Sequence, residues 1–161
     1  MNKELKTIQR ASRIGLWGSV AAVILTVAFL YSPWQFRNPE HAVRWMTVAG
    51  TVLAVLAVSM SLLTARRQVP RLRQTEDTQA KLEGYAAYVR QLYLTMLAVV
   101  VILCLFTVLS ARSPMLMLAM VSTLVLVLTY PNIYRIKADL GLDDEAMRSL
   151  FGDKYIGGDG K

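Results

Sequence analysis

Four things are scarce in this chain, and each scarcity removes a class of function. Cysteine occurs once, at Cys104, inside an apolar run. A single thiol closes no internal disulfide and builds no thiolate metal cluster, so Cys104 reads as a small buried hydrophobe. Histidine also occurs once. His41, with Glu40 beside it, offers two adjacent groups where a zinc site needs three or four. Motifs with a recognisable mechanism are missing too: there is no Gly-rich phosphate loop, zinc-hydrolase pattern or nucleophile elbow. Asp139, Asp143, Asp144 and Glu145 lack the spacing of an EF-hand loop, and helix capping accounts for the last three. Neither a catalytic residue nor a metal or cofactor is assigned from the sequence.

The fourth scarcity is charge where the chain is most apolar. From Leu92 to Tyr130 the only formal charge is Arg112, in the short break ARSP between two aliphatic runs. The chain is 55% hydrophobic yet only 9% aromatic, so the excess is aliphatic and comes in continuous blocks. A bilayer span needs about 20 consecutive apolar residues, whereas a soluble core helix needs only one apolar stripe. The class this predicts is an all-α integral membrane protein with four transmembrane helices, arranged as two helical hairpins.

The expected spans cover residues 14–31, 46–64, 91–110 and 114–130, within a transmembrane domain of residues 1–137. The last span is near the lower length limit for a crossing. Before the first span, MNKELKTIQRASR is basic, with Leu5, Ile8 and Ser12 at helical spacing, so a short interfacial helix is expected there. The outer loop 32–45 carries Trp34, Phe36 and Trp45, rings suited to the headgroup layer. The second span offers a small-residue face, Gly50, Ala54, Ala57 and Ser61, that would let another helix approach closely. Pro70 is expected to end or kink the helix near Gln68. In the connector 65–90, Thr75 or Asp77 is placed to cap a third helix that begins well outside the bilayer.

After the last span, Tyr130-Pro131-Asn132 stops the helix and a tail of residues 138–161 follows. Within it, Asp143 is a good N-cap, Leu142 and Met147 suit a hydrophobic staple, and Gly152 suits a terminator. A short amphipathic helix over about 144–151 is therefore expected.

Charge gives the orientation. With both termini inside, only Arg37, Arg44 and Arg112 of the 18 basic residues face outward. The positive-inside rule therefore favours both ends in the cytosol, with a bacterial cytoplasmic membrane as the expected location. The net charge of +7 then reflects topology and contact with anionic lipid headgroups, and nucleic acid is not an expected partner. Arg66, Arg67, Arg71, Arg73, Arg90, Arg135 and Lys137 gather at the inner ends of the spans and are the candidate contacts for anionic lipid or an acidic partner. The two basic exits, around Arg71–Arg73 and Arg135–Lys137, are loosely alike, as a duplicated hairpin would make them.

The functional expectation is a non-enzymatic scaffold or subunit, working as a homo-oligomer or with a membrane-protein partner. Two alternatives belong to other classes. One is a channel or carrier for a small neutral or lipophilic solute, with Thr26, Thr51, Ser59, Thr95, Thr107, Ser122 and Thr123 as polar lining. The other is a lipid-modifying enzyme with its site near Arg66, Arg67, Arg90, Tyr134 and Arg135.

Overall fold

The structure, a computed structural model, describes residues 3–32, 40–110 and 114–151, except the side chain of His41. The expectations for Trp34, Phe36, Arg37, His41, Arg112 and Gly152 fall outside the described residues. Six helices run in order: α1 (Lys3–Leu30), α2 (Glu40–Gln74), α3 (Thr78–Ser110), α4 (Pro114–Leu128), α5 (Ile133–Leu140) and α6 (Asp144–Phe151). No strand occurs among the described residues. Three helices are long and apolar enough to cross a membrane, or four if the bent pair α4–α5 counts as one span.

Small residues decide which helices meet. On α1, Ala11, Gly15, Ser19, Ala22 and Thr26 recur at intervals of three and four, so they share one face. Ala11, Gly15, Ser19 and Thr26 are buried, and Gly15 lies so close to α3 that a Cβ would sit 2.8 Å from the Cβ of Tyr93 and 3.1 Å from its carbonyl oxygen. One turn on, Gly18 faces Leu97. Residue numbers rise together along this contact, so α1 and α3 are parallel. Helix α2 runs the other way: Gly50 faces Leu103 and Phe106, and Leu72 packs over Gly84. Helix α4 is also antiparallel to α3, since Tyr93 donates a hydrogen bond to the Leu126 carbonyl (3.0 Å) while Met115 packs in one cluster with Leu103.

Two sequence expectations are corrected here. The first two long helices do not make a self-contained hairpin, because each packs chiefly on α3 and contacts the other far less. Gly15 of α1 reaches the Tyr93 backbone, and Gly18 meets the Leu97 side chain, both on α3. The basic segment before residue 14 is likewise no separate interfacial helix. It is the first three turns of α1, and its apolar residues Leu5 and Ile8 are buried with Leu82 and Tyr85 of α3.

Of the stop or kink expected at Pro70, the stop does not occur: the proline lies inside α2, and the helix continues to Gln74. A mid-helix proline costs about 3 kcal/mol. Packing offsets this from the far side. Leu72 fills the space left by the missing side chain of Gly84, and Arg73 donates from Nε to the Asp139 carbonyl (3.0 Å) and from its guanidinium to the Ala138 carbonyl. Asp77 then opens α3, accepting from the Gln79 amide at 2.9 Å.

Helix α4 has 15 residues, about 22 Å at 1.5 Å per residue. It stops before Pro131, and α5 leaves at 78° to it. Helix α5 was not foreseen. Asn132 caps its start by accepting from the Arg135 amide (2.7 Å), and Gly141, at φ 62°, closes its end in the left-handed region. Asp143 opens α6 by accepting from the Ala146 amide (2.8 Å), with Leu142 and Met147 both buried beside it. The two exits thus differ, one helix continuing past its proline and the other stopping before it.

These helices enclose two cores. One holds Ala54, Val99, Val100, Leu103, Cys104, Met115 and Ala119, at the far end from the N terminus. The other lies at the near end, where Leu5 and Ile8 meet Leu82, Tyr85, Ala86 and Val89, and Ile136, Leu140 and Met147 of α5 and α6 close over them. Outside these cores, the long helices turn large apolar side chains outward, among them Trp17 (67% exposed), Leu25 (69%) and Met117 (66%). A soluble monomer does not carry so much apolar surface. Such helices are compatible with an integral membrane protein.

Candidate functional site

The chemistry-bearing side chains collect at the near end, where the apolar stretches give way to charge. Helices α2 and α3 touch at Gly50 and again at Leu72. Between these points they part around a groove of about 350 Å³, lined from α2 by Leu53, Leu56, Ala57, Met60, Ser61 and Thr64 and from α3 by Tyr88, Gln91, Leu92, Thr95 and Val99. A second hollow of about 290 Å³ continues past Tyr88 and Gln91 to Arg71 and Gly84. The groove is apolar over most of its length and polar only at its near end.

Of the seven candidate cations, the structure separates two groups. Arg73 is spent on the C-terminal carbonyls of α5. Arg135 donates to the Leu128 carbonyl, satisfying the frayed end of α4, and pairs with Asp139 at 3.9 Å. Lys137 pairs with Asp144 of α6. These three hold α2, α4, α5 and α6 together. Arg66, Arg67, Arg71 and Arg90 are exposed. Arg71 borders the groove mouth. Arg67 follows Met60 by seven residues and so lies on the same face. Arg90 is two residues from Tyr88, about 200° around α3, and faces away from the groove.

The small-residue face of α2 is used inside the molecule. Gly50 is covered by Met115, Leu103 and Phe106, Ala54 is buried, and Ala57 packs against both cores. Ala57 and Ser61 also reach the groove wall, the Ser61 hydroxyl donating to the Ala57 carbonyl at 2.7 Å. The hydroxyls considered for a conducting path divide likewise. Thr26, Thr107 and Ser122 are buried between helices, and each donates to the carbonyl four residues earlier. Thr123 does the same to Ala119. Thr51 and Ser59 are exposed, Thr95 is exposed on the groove wall, and Tyr134 is 66% exposed on α5.

The polar centre that sequence reading missed joins α3 to α5. The Tyr85 hydroxyl donates to Asp139 Oδ2 at 2.9 Å, within the network that also holds Arg73 and Arg135. The interval of 54 residues between Tyr85 and Asp139 gives no local signal. Among the described residues, no group of three His, Cys, Asp or Glu side chains converges as metal ligands would.

Fold and site together define an all-helical molecule with three to four apolar helices and a charged, packed near end, compatible with a membrane protein. No protein-family model matches the sequence, and no curated protein or solved structure matches it.

Proposed function

We propose that this is a four-span scaffold or subunit of a bacterial cytoplasmic membrane, with both termini in the cytosol and a folded cytosolic platform. One observation carries the reading. The core at the near end is built from the beginning of the chain and from its last helices: Leu5 and Ile8 of α1 pack with Leu140 and Met147. Segments sharing one core share one compartment, so the bent pair α4–α5 counts as a return through the bilayer. The positive-inside rule then makes that compartment the cytosol.

The back-bonded hydroxyls and close-packed small residues support a role in packing over one in conduction. The arginines that the lipid-enzyme reading would use face in different directions. The platform fits a part that other chains rest on, either a second copy or another membrane protein. Photocrosslinkers at Val55 and Leu62, exposed on α2, together with native electrophoresis of the gently solubilised chain, test this. The expected result is a defined complex larger than the monomer, crosslinked through α2. A monomer with no crosslinked partner contradicts the reading.

A further inference from the structure

We propose that the groove between α2 and α3 seats one anionic phospholipid of the inner leaflet, an acyl chain lying in the groove and the phosphate on Arg67 and Arg71. The inference rests on the insertion proposed above, with the near end in the cytosol, and does not depend on the scaffold role. Two sets of residues on α2 carry it. Leu53, Met60 and Arg67 are spaced by seven, as are Ala57, Thr64 and Arg71. Seven residues make nearly two turns, so each set keeps to one face and passes from apolar to cationic.

The distances fit one leaflet. Leu53 to Thr64 spans about 16 Å of helix rise, close to half of a hydrocarbon core about 30 Å thick. The groove wall therefore runs from near the bilayer midplane to its inner edge, and the two arginines follow within two turns, at headgroup level. The volume of about 350 Å³ falls in the range of sites that hold a small molecule, roughly 300–1,000 Å³. Ser61 and Thr64 spend their hydroxyl protons on their own helix, which leaves the groove wall apolar. The cations at its mouth are what an anionic headgroup requires, and a partner helix, apolar along its length, would leave them at its edge without a counter-charge. Arg73, two residues from Arg71, is excluded because its guanidinium already holds α5.

The test uses the full chain reconstituted in phosphatidylcholine vesicles with spin-labelled phosphatidylglycerol or spin-labelled phosphatidylcholine. The immobilised fraction of each probe reports binding. An immobilised component preferring phosphatidylglycerol is expected, with the preference falling roughly fivefold for each arginine removed in R67Q and R67Q/R71Q. The double variant R66Q/R90Q removes equal charge away from the groove and should change the preference far less. Thr95 is exposed on the groove wall, and T95W should abolish the immobilised component for both probes. Equal losses in the two double variants would reduce the effect to general surface charge and overturn the proposal. Immobilised lipid surviving T95W, or a T95C dimer formed across the groove, would overturn it as well. A monomer on native gels leaves these readouts unchanged, so failure of the scaffold reading is distinguishable from failure of this one.

Discussion

At Gly15 a hydrogen takes the place of a side chain, and the fold depends on it. An alanine there gains about 1 kcal/mol in helix propensity. Its methyl would meet the Tyr93 Cβ at 2.8 Å and a backbone oxygen at 3.1 Å, neither of which can swing aside. Overpacking of this kind costs typically 1–3 kcal/mol, so the steric cost wins. Gly18 is the contrast, because an added Cβ there meets only the flexible end of Leu97, at 3.0 Å. G15A is expected to lower the thermal midpoint in detergent, and G18A to leave it unchanged or raise it slightly. Equal destabilisation by both would contradict the parallel α1–α3 contact. The sequence displays the small face of α1 as openly as that of α2, with Ala11, Gly15, Ser19, Ala22 and Thr26 in register. What it does not display is which neighbour each face meets. That is decided by Tyr93, 78 positions from Gly15.

The elements divide into those set by their own composition and those held by others. The long apolar helices and the cap of α6 at Asp143 belong to the first kind and were legible. The end of α2 belongs to the second, since Pro70 signals a stop that Leu72, Gly84 and Arg73 override from other parts of the chain. R73A should free residues 71–74 to fray, seen as faster amide exchange there. Replacing the proline as well, in P70A/R73A, should slow that exchange again by removing the reason to fray. If R73A leaves exchange at 71–74 unchanged, the arginine is not what offsets the proline. Helix α5 sits between the two kinds. Its bracket of Asn132 and Gly141 was readable as a cap and a terminator, with Ile133, Ile136 and Leu140 on one face. Eight residues do not hold a helix alone in water, so α5 exists because Ile136 and Leu140 find a core built mainly by α1 and α3.

On the scale of the molecule, the insertion proposed above gives its two halves two environments. In the apolar half, lipid offers side chains no less than a neighbouring helix does, so close packing of Gly15, Gly50, Ala54 and Ala119 sets the arrangement. In the near half, water drives burial, and each fully buried Leu, Ile or Met side chain contributes about 1.5–3 kcal/mol relative to exposure. Ile8, Leu82, Leu140 and Met147 are such residues. They bring the start of α1 and helices α5 and α6 to one place. Single cysteines at Lys6, Arg44 and Arg148, in a C104A background, test the proposed topology with a membrane-impermeant thiol reagent. Labelling is expected at Arg44 from outside intact cells, and at Lys6 and Arg148 only in inverted vesicles. Labelling of Lys6 and Arg148 from opposite sides would make α4 a re-entrant segment and contradict the four-span account.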